Sequence, residues 1–417
     1  MGSFAFRNCS NLSSVRIPNS VTSIGTEAFR GCSDLISVEI SNAVPSVGDY
    51  VFADCPRIRN VFVNWTTPIL LGGTVFYNRN LSDITLYVPD GTKTAYQAAP
   101  SWKGFGTIIE RGNVSGNGDF EIINGVLVRY RGAGEDVVIP DEVTGIGQGA
   151  FAGCSSLTSV EIPAPVTNIV DAAFAGCTGL SAIHVDPANN DYTSEDGVLY
   201  SKDKTKLHTC PAGTGGAFSI PGSVTDIAAG AFYGCVDLTS VEIPGSVASI
   251  GRSAFSGCTN LSAINVAPAN SSYTSVDGVL YNKNKTALLV YPSGKGGVFS
   301  IPGSVTSIGD SAFYDCSGLV SVEIPNTVTK IGTSAFRGCS GLTSREIPGS
   351  VTGIGDFVFA YCSGLRHVFV NRTTPVSVGG SVFNNGINPQ NLTLYVPSGA
   401  KAAYQAAPVW QDFGTIM

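Results

Sequence analysis

One phrase of 23 residues recurs along this chain, and it rules out an ordinary globular core. From Cys316 to Gly338 the sequence reads CSGLVSVEIPNTVTKIGTSAFRG, and a second copy follows directly from Cys339 to Tyr361. A repeat of about 20–30 residues with fixed apolar positions marks a solenoid. As a pattern the unit is C-x-x-L-x-x-V-x-I-P-x-x-V-T-x-I-G-x-x-A-F-x-G. The alternation Val322-x-Ile324 predicts a short strand with one buried face. Pro325 ends it, because proline has no N–H to give to a ladder. Val328 to Ile331 is a second short apolar piece, and Gly332 punctuates it as a turn. Ala335-Phe336 adds one bulky core residue, and Gly338-Cys339 turns the chain into the next unit.

A single unit buries too little apolar surface to offset the entropy of ordering its backbone. It must share its faces with units above and below. The strands then stack in parallel, about 4.8 Å apart. L-x-x-V-x-I-P followed by A-F-x-G-C at this spacing resembles the BspA-like leucine-rich repeats found in surface proteins of gut and oral bacteria and of some protists. The resemblance covers most of the chain. It implies a mainly β, right-handed leucine-rich-repeat coil with few short helical or 3-10 turns. It also implies a secreted or cell-surface location and roles in adhesion or host interaction.

Strand units open at Leu12, Leu35 and Ile58, and then the repeat stops. Residues 61–109 and residues 368–417 are two copies of another segment, beginning VFVNWTTP and VFVNRTTP. Both read as solenoid caps. Leu86 to Val88 and Leu394 to Val396 are the expected closing strands, with short helical pieces at Ala95 to Ala99 and Ala402 to Ala407. Trp102 and Trp410 are expected over the last open face, since a bare end exposes apolar surface and a strand edge. Two tandem capped solenoids follow: residues 1–110 with their cap at 61–110, a polar linker at 111–118, and residues 119–417 with their cap at 368–417. Phe120 to Tyr130 is the expected N-terminal hairpin of the second. Its repeats from Cys177 to Cys235 and from Cys258 to Cys316 each carry 35 extra residues, at about 182–220 and 263–301. Asp196-Gly197 and Asp277-Gly278 predict a hairpin in each insertion. Met1-Gly2-Ser3 runs into the tail of a unit, so the chain is expected to begin mid-repeat, with any leader upstream.

Fifty glycines and 22 prolines match a turn in every unit, and a 43% hydrophobic content supports a continuous core. The net charge is −7 without any Lys/Arg cluster, which argues against nucleic acid as a partner. No stretch of about 18 consecutive apolar residues exists to span a membrane. Of the eleven cysteines, ten occupy one position of the repeat. They are expected to form an internal ladder of free, buried thiols, because parallel Cβ vectors do not converge on a disulfide. Cys210 falls outside that position, where the other insertion has Tyr291, and a reactive role for it stays open.

The sequence offers no constellation for catalysis, and no enzyme, metal or cofactor is expected. His184, His208 and His367 lack metal-like spacing, and H-E-x-x-H, G-x-S-x-G and C-x-x-C are absent. Pro292 to Gly296 lacks the upstream glycine and the Ser/Thr of a phosphate loop. Asp186, Asp191, Glu195 and Asp196 do not follow an EF-hand order. The candidate surface is instead the residue between V and I of each strand, which points away from the core once per rung. That column reads Arg16, Glu39 and Phe62 in the first solenoid. In the second it gives the candidate ligand-binding residues Glu161, His184, Glu242, Asn265, Glu323, Glu346 and Phe369. Glu323 and Glu346 are expected one strand spacing apart, and Arg345, at a core valine position, is expected to reach the surface and relieve them. The function expected is non-catalytic recognition of protein or glycan ligands, host extracellular ones among them, by a monomer through its concave β-face. The alternative is a structural spacer within a larger surface protein.

Overall fold

The computed structural model describes residues 1–9, 12–111, 114–115, 118–379, 381–383 and 387–417. The fold is a parallel β-solenoid, and the chain divides into two compact units, Met1–Asp196 and Gly197–Met417. In the first unit, Ser14–Ile17, Ser37–Ile40, Asn60–Val63, Thr85–Val88 and Thr107–Glu110 form one parallel sheet in chain order. Equivalent positions lie side by side: Val15, Val38, Val61, Leu86 and Ile108 make one inward row. A second parallel sheet of this unit joins Asp136–Val138, Ser159–Ile162 and Ala182–Val185. The hairpin Phe120–Ile123 with Val126–Tyr130 precedes it. Asn124 and Gly125 make its turn with φ of 51° and 78°, the left-handed region that this dipeptide tolerates. Of the expected linker, residues 112, 113, 116 and 117 lie outside the described residues.

The second unit repeats the scheme. Gly216–Ser219, Leu238–Ile243 and Ala263–Val266 are parallel neighbours, as are Gly297–Ser300 and Leu319–Glu323. Ser344–Ile347, His367–Val370, Thr393–Tyr395 and Thr415–Ile416 complete the series. The V-T-x-I piece of each repeat forms a second, narrow ladder, as in Ser307–Ile308, Lys330–Ile331 and Gly353–Ile354. The insertion at 263–301 departs from pure parallel stacking. Tyr273–Val276 folds back on Val279–Asn282 around Asp277-Gly278, and that strand pairs antiparallel with Ala287–Val290. Ala287–Val290 then rejoins the narrow ladder in parallel with Ser307–Ile308. Buried Asn270 pins the insertion, donating to the carbonyls of Pro244 and Val247 and accepting from the amides of Ser272 and Tyr273.

Stacking one phrase on itself makes ladders of single residue types. Phe313, Phe336, Phe359 and Phe383 stack with centroids 4.8–5.9 Å apart. Six ladder thiols, Cys32, Cys55, Cys177, Cys258, Cys339 and Cys362, donate to the phenylalanine carbonyl of the preceding rung, as Cys339 Sγ does to Phe313 O at 3.1 Å and Cys362 Sγ to Phe336 O at 3.0 Å. All eleven cysteines are free. The I-G glycine is required less by its turn than by close approach. A Cβ on Gly332 would come within 2.6 Å of the Asp310 amide nitrogen one rung back, and one on Gly48 within 2.7 Å of Thr26 N. At the ends of the two parallel series, Trp102 and Trp410 are fully buried, donating from Nε1 to Ile69 O at 2.7 Å and to Val376 O at 2.9 Å. The helices Lys93–Ala98 and Lys401–Gln405 supply Tyr96 and Tyr404, which pack edge-on against them.

Cys210 lies outside the repeated thiol position, as expected: it takes the place of the phenylalanine, and Cys235 Sγ lies on the carbonyls of Cys210 and Pro211 at 3.7 and 3.4 Å. Contact with Cys235 and burial push its thiol well above the usual range, so it is held neutral, which disfavours the reactive role left open. One expectation needs correction: Arg345 does not reach the surface. It is 1% exposed, its guanidinium lies 4.4 Å from the Phe336 ring centroid, and Nη1 donates to Val322 O at 2.8 Å. The period of two placed it inward, where the Phe336 ring and Val322 O hold the guanidinium.

Candidate functional site

The strand alternation that buries V and I turns the residue between them outward. In the first unit, Val138, Glu161 and His184 stand in register and are exposed. In the second unit the column runs Ser219, Glu242 and Asn265, then Ser300 and Glu323, then Glu346, Phe369 and Tyr395. All of the expected site residues thus lie on strand surfaces, and all but half-buried Asn265 are exposed.

Each glutamate of the second unit is oriented by a neutral donor. Asn265 Nδ2 reaches Glu242 Oε1 at 2.8 Å, Ser300 Oγ donates to Glu323 Oε2 at 3.0 Å, and Asn371 Nδ2 to Glu346 Oε1 at 2.6 Å. None of the three has an arginine, lysine or histidine within ion-pair distance among the described residues. Glu323 and Glu346 are on neighbouring strands, but no ladder register joins Leu319–Glu323 to Ser344–Ile347. Buried Arg345 sits beside that break. The result is a row of hydrated, pre-oriented carboxylates with their charge uncompensated.

The first column of the chain is different. Arg16 is exposed, but Glu39 is 4% exposed and Phe62 fully buried. The cover is Arg111 and the hairpin from Phe120, with Arg129 and Arg131. Glu39 lies near Arg16, Arg111, Arg129 and Arg131 at 3.1–3.8 Å, and Glu121 near the last three at 2.6–3.4 Å. Burial opposes the Glu121 charge, yet Arg129 and Arg131 hold its carboxyl below the usual range. The repeat pattern announces the column but not its cover, because the covering residues lie later in the chain.

Two further features lay outside the sequence reading. Exposed Asn371 and half-buried Tyr395 belong to this surface; the repeated VFVN and LYVP phrases carry them. The 263–301 insertion also leaves a cavity of about 440 Å³ lined by Tyr273, Tyr291, Tyr314, Arg252 and Asp310. Its wall is committed internally: Tyr291 donates to Gly296 O at 2.7 Å, and Arg252 lies 3.7 Å from Asp310. Among the described residues no group of three or more His, Cys, Asp and Glu side chains is placed to hold a metal. Among the described residues no helix is long and apolar enough to cross a membrane.

Stacked parallel rungs with an outward column on each strand define a leucine-rich-repeat solenoid. The family model for the BspA type leucine rich repeat region matches residues 1–99, 130–210, 216–293 and 297–402, and the chain belongs to this family. No curated protein matches it. Among solved structures it is similar to a leucine-rich repeat protein from Eubacterium ventriosum, at 24% identity over 85% of this chain and 82% of that one, with a TM-score of 0.36. A leucine rich cell surface protein from Faecalibacterium prausnitzii matches at 24% identity over 97% and 84%, TM-score 0.31. The pneumococcal vaccine antigen PcpA matches at 18% identity over 97% and 93%, TM-score 0.37.

Proposed function

We propose that this chain is a non-catalytic, secreted or cell-surface protein that binds protein or glycan ligands through its concave β-face. The observation that carries the reading is the uncompensated carboxylate row of Glu242, Glu323 and Glu346, each held by a neutral donor. The buried Glu39 of this column and Glu121 of the hairpin that covers it are neutralised by four arginines; the open glutamates are left for a ligand. Recognition by a rigid, preformed face costs little ordering entropy. The test is a screen of the purified chain against extracellular matrix proteins, mucins and glycans. A variant carrying Glu161, Glu242, Glu323 and Glu346 changed to Lys is run beside it. A ligand that binds the chain and is lost by the variant supports the reading; a ligand that the variant keeps moves the site elsewhere.

The second reading is a structural spacer. The covered face of the first series favours it, since there the same surface serves internal packing and not recognition. Absence of any ligand at micromolar concentration makes the spacer the better description.

A further inference from the structure

The chain carries two copies of one surface constellation, and one copy is occupied. Phe62 and Tyr87 stack with centroids 4.3 Å apart and planes 9° from parallel; Phe369 and Tyr395 stack at 4.4 Å and 10°. In each copy a glutamate faces the phenylalanine from the preceding strand, Glu39 opposite Phe62 and Glu346 opposite Phe369. In each, the asparagine two residues beyond the phenylalanine donates to that glutamate, Asn64 at 3.3 Å and Asn371 at 2.6 Å.

The occupied copy shows what this geometry takes. The Arg129 guanidinium lies 3.9 Å from the Phe62 ring centroid, and its Nη1 is 3.2 Å from Glu39 Oε2. Arg129 comes from the second strand of a hairpin, Val126–Tyr130. The ring supplies a negative face, the carboxylate supplies charge, and the asparagine fixes the carboxylate. The Arg129 guanidinium lies over the ring and at ion-pair distance from Glu39, while its Nε and Nη2 donate to Glu121 Oε2; a planar guanidinium fits such a shared position better than a lysine ammonium.

The open copy has the same parts without the cation. Phe369 is 37% exposed where Phe62 is fully buried, and Glu346 is exposed. Among the described residues no arginine or lysine lies over the Phe369 ring or beside Glu346. The flanking residue sharpens the difference. Glu39 has Arg16 on the preceding rung at 3.1 Å, whereas the residue in that place beside Glu346 is Glu323. The open copy therefore has more negative charge and less internal neutralisation.

We infer that Glu346, Phe369 and Tyr395 form a binding site for an arginine side chain presented on a β-hairpin of a protein partner. This rests on the reading that the concave face is the recognition surface, and it names the chemistry of the partner. Glu323 strengthens the field at the site, and Asn371 keeps Glu346 aimed at the ring.

The probe is a labelled, backbone-cyclised peptide of residues 119–131, the chain's own arginine-bearing hairpin, titrated into the full chain by fluorescence anisotropy. The expected result is saturable binding that falls about tenfold or more with citrulline at the position of Arg129. A similar fall is expected with Phe369→Ala or Glu346→Gln protein, and a smaller one with lysine in the peptide. Phe369 and Glu346 are exposed, so both variants fold, and far-ultraviolet circular dichroism checks this. No binding, equal binding of the citrulline peptide, or unchanged binding by Phe369→Ala overturns the inference. A screened ligand lost by the four Glu→Lys changes but kept by Phe369→Ala leaves the concave-face reading standing while this site fails. Arginine-dependent peptide binding without any screened ligand has the opposite meaning.

Discussion

Replacing Arg345 by valine is expected to stabilise the second unit. Other rungs carry Val or Ile at this position, among them Val322 and Val368, and arginine there is a charge set into the apolar core. Its Nε and Nη2 have no hydrogen-bond partner. Burial drops the guanidinium from its ordinary value to about 10, a penalty on the charged form of about 3 kcal/mol at about 1.4 kcal/mol per decade. The contact with Phe336 returns up to about 2 kcal/mol in a desolvated setting. Arg345→Val should therefore gain about 1–3 kcal/mol, within the range seen when buried charges give way to apolar residues. With a urea slope of about 3 kcal/mol/M the midpoint rises by about 0.3–1 M. Trp410, the one tryptophan of the second unit, reports the transition. The pH dependence supplies an independent check. The folded arginine releases its proton near pH 10 and the unfolded one only at higher pH, so the penalty is complete at neutral pH and relieved as pH rises through 10. The gap between variant and parent should narrow there. A lower midpoint for the variant, or a gap that does not narrow, would refute the reasoning.

Phe62→Ala should destabilise the first unit by about 3–5 kcal/mol in urea unfolding, while Phe369→Ala should change stability by less than about 1 kcal/mol; equal losses would contradict the covered first face. Burial pushes the Cys32 thiol to about 12 and Cys154 to about 11. Unfolded thiols ionise near pH 8.5, so ladder stability is complete below that pH and is lost as pH rises toward about 12. A thiol reagent at pH 8 should modify exposed Cys9 quickly and the fully buried ladder thiols only on unfolding; rapid modification of Cys210 in the native chain would contradict its place beside Cys235.

Much of the fold was legible because each repeat restates it. The V-x-I alternation fixed which side chains face inward, and the recurrent A-F-x-G-C fixed the phenylalanine and thiol rows. Arg345 shows how strong that period is: alternation alone places it in the core, and reading its charge as a reason to leave the core was the error. The I-G glycine reads as a turn in one unit, but its reason, backbone against backbone, exists only between two. The candidate column was legible for the same reason as the strands. Its burial at Glu39 and Phe62 was not, because Arg111, Arg129 and Arg131 arrive from a later part of the chain, and no local pattern announces where a hairpin will lie. The matched pairs Phe62–Tyr87 and Phe369–Tyr395 were visible as repeated letters; that one was covered and one open was not.

The central claim is that one surface occurs twice, covered in the first series of rungs and open in the second. Carbodiimide labelling of carboxyl groups with glycine ethyl ester, read residue by residue by mass spectrometry, tests it on the intact chain. Glu161, Glu242, Glu323 and Glu346 should label rapidly, while Glu39 and Glu121 stay protected until the chain unfolds. Labelling of Glu39 as fast as Glu346 would contradict the account, removing both the covered face and the occupied template for arginine recognition.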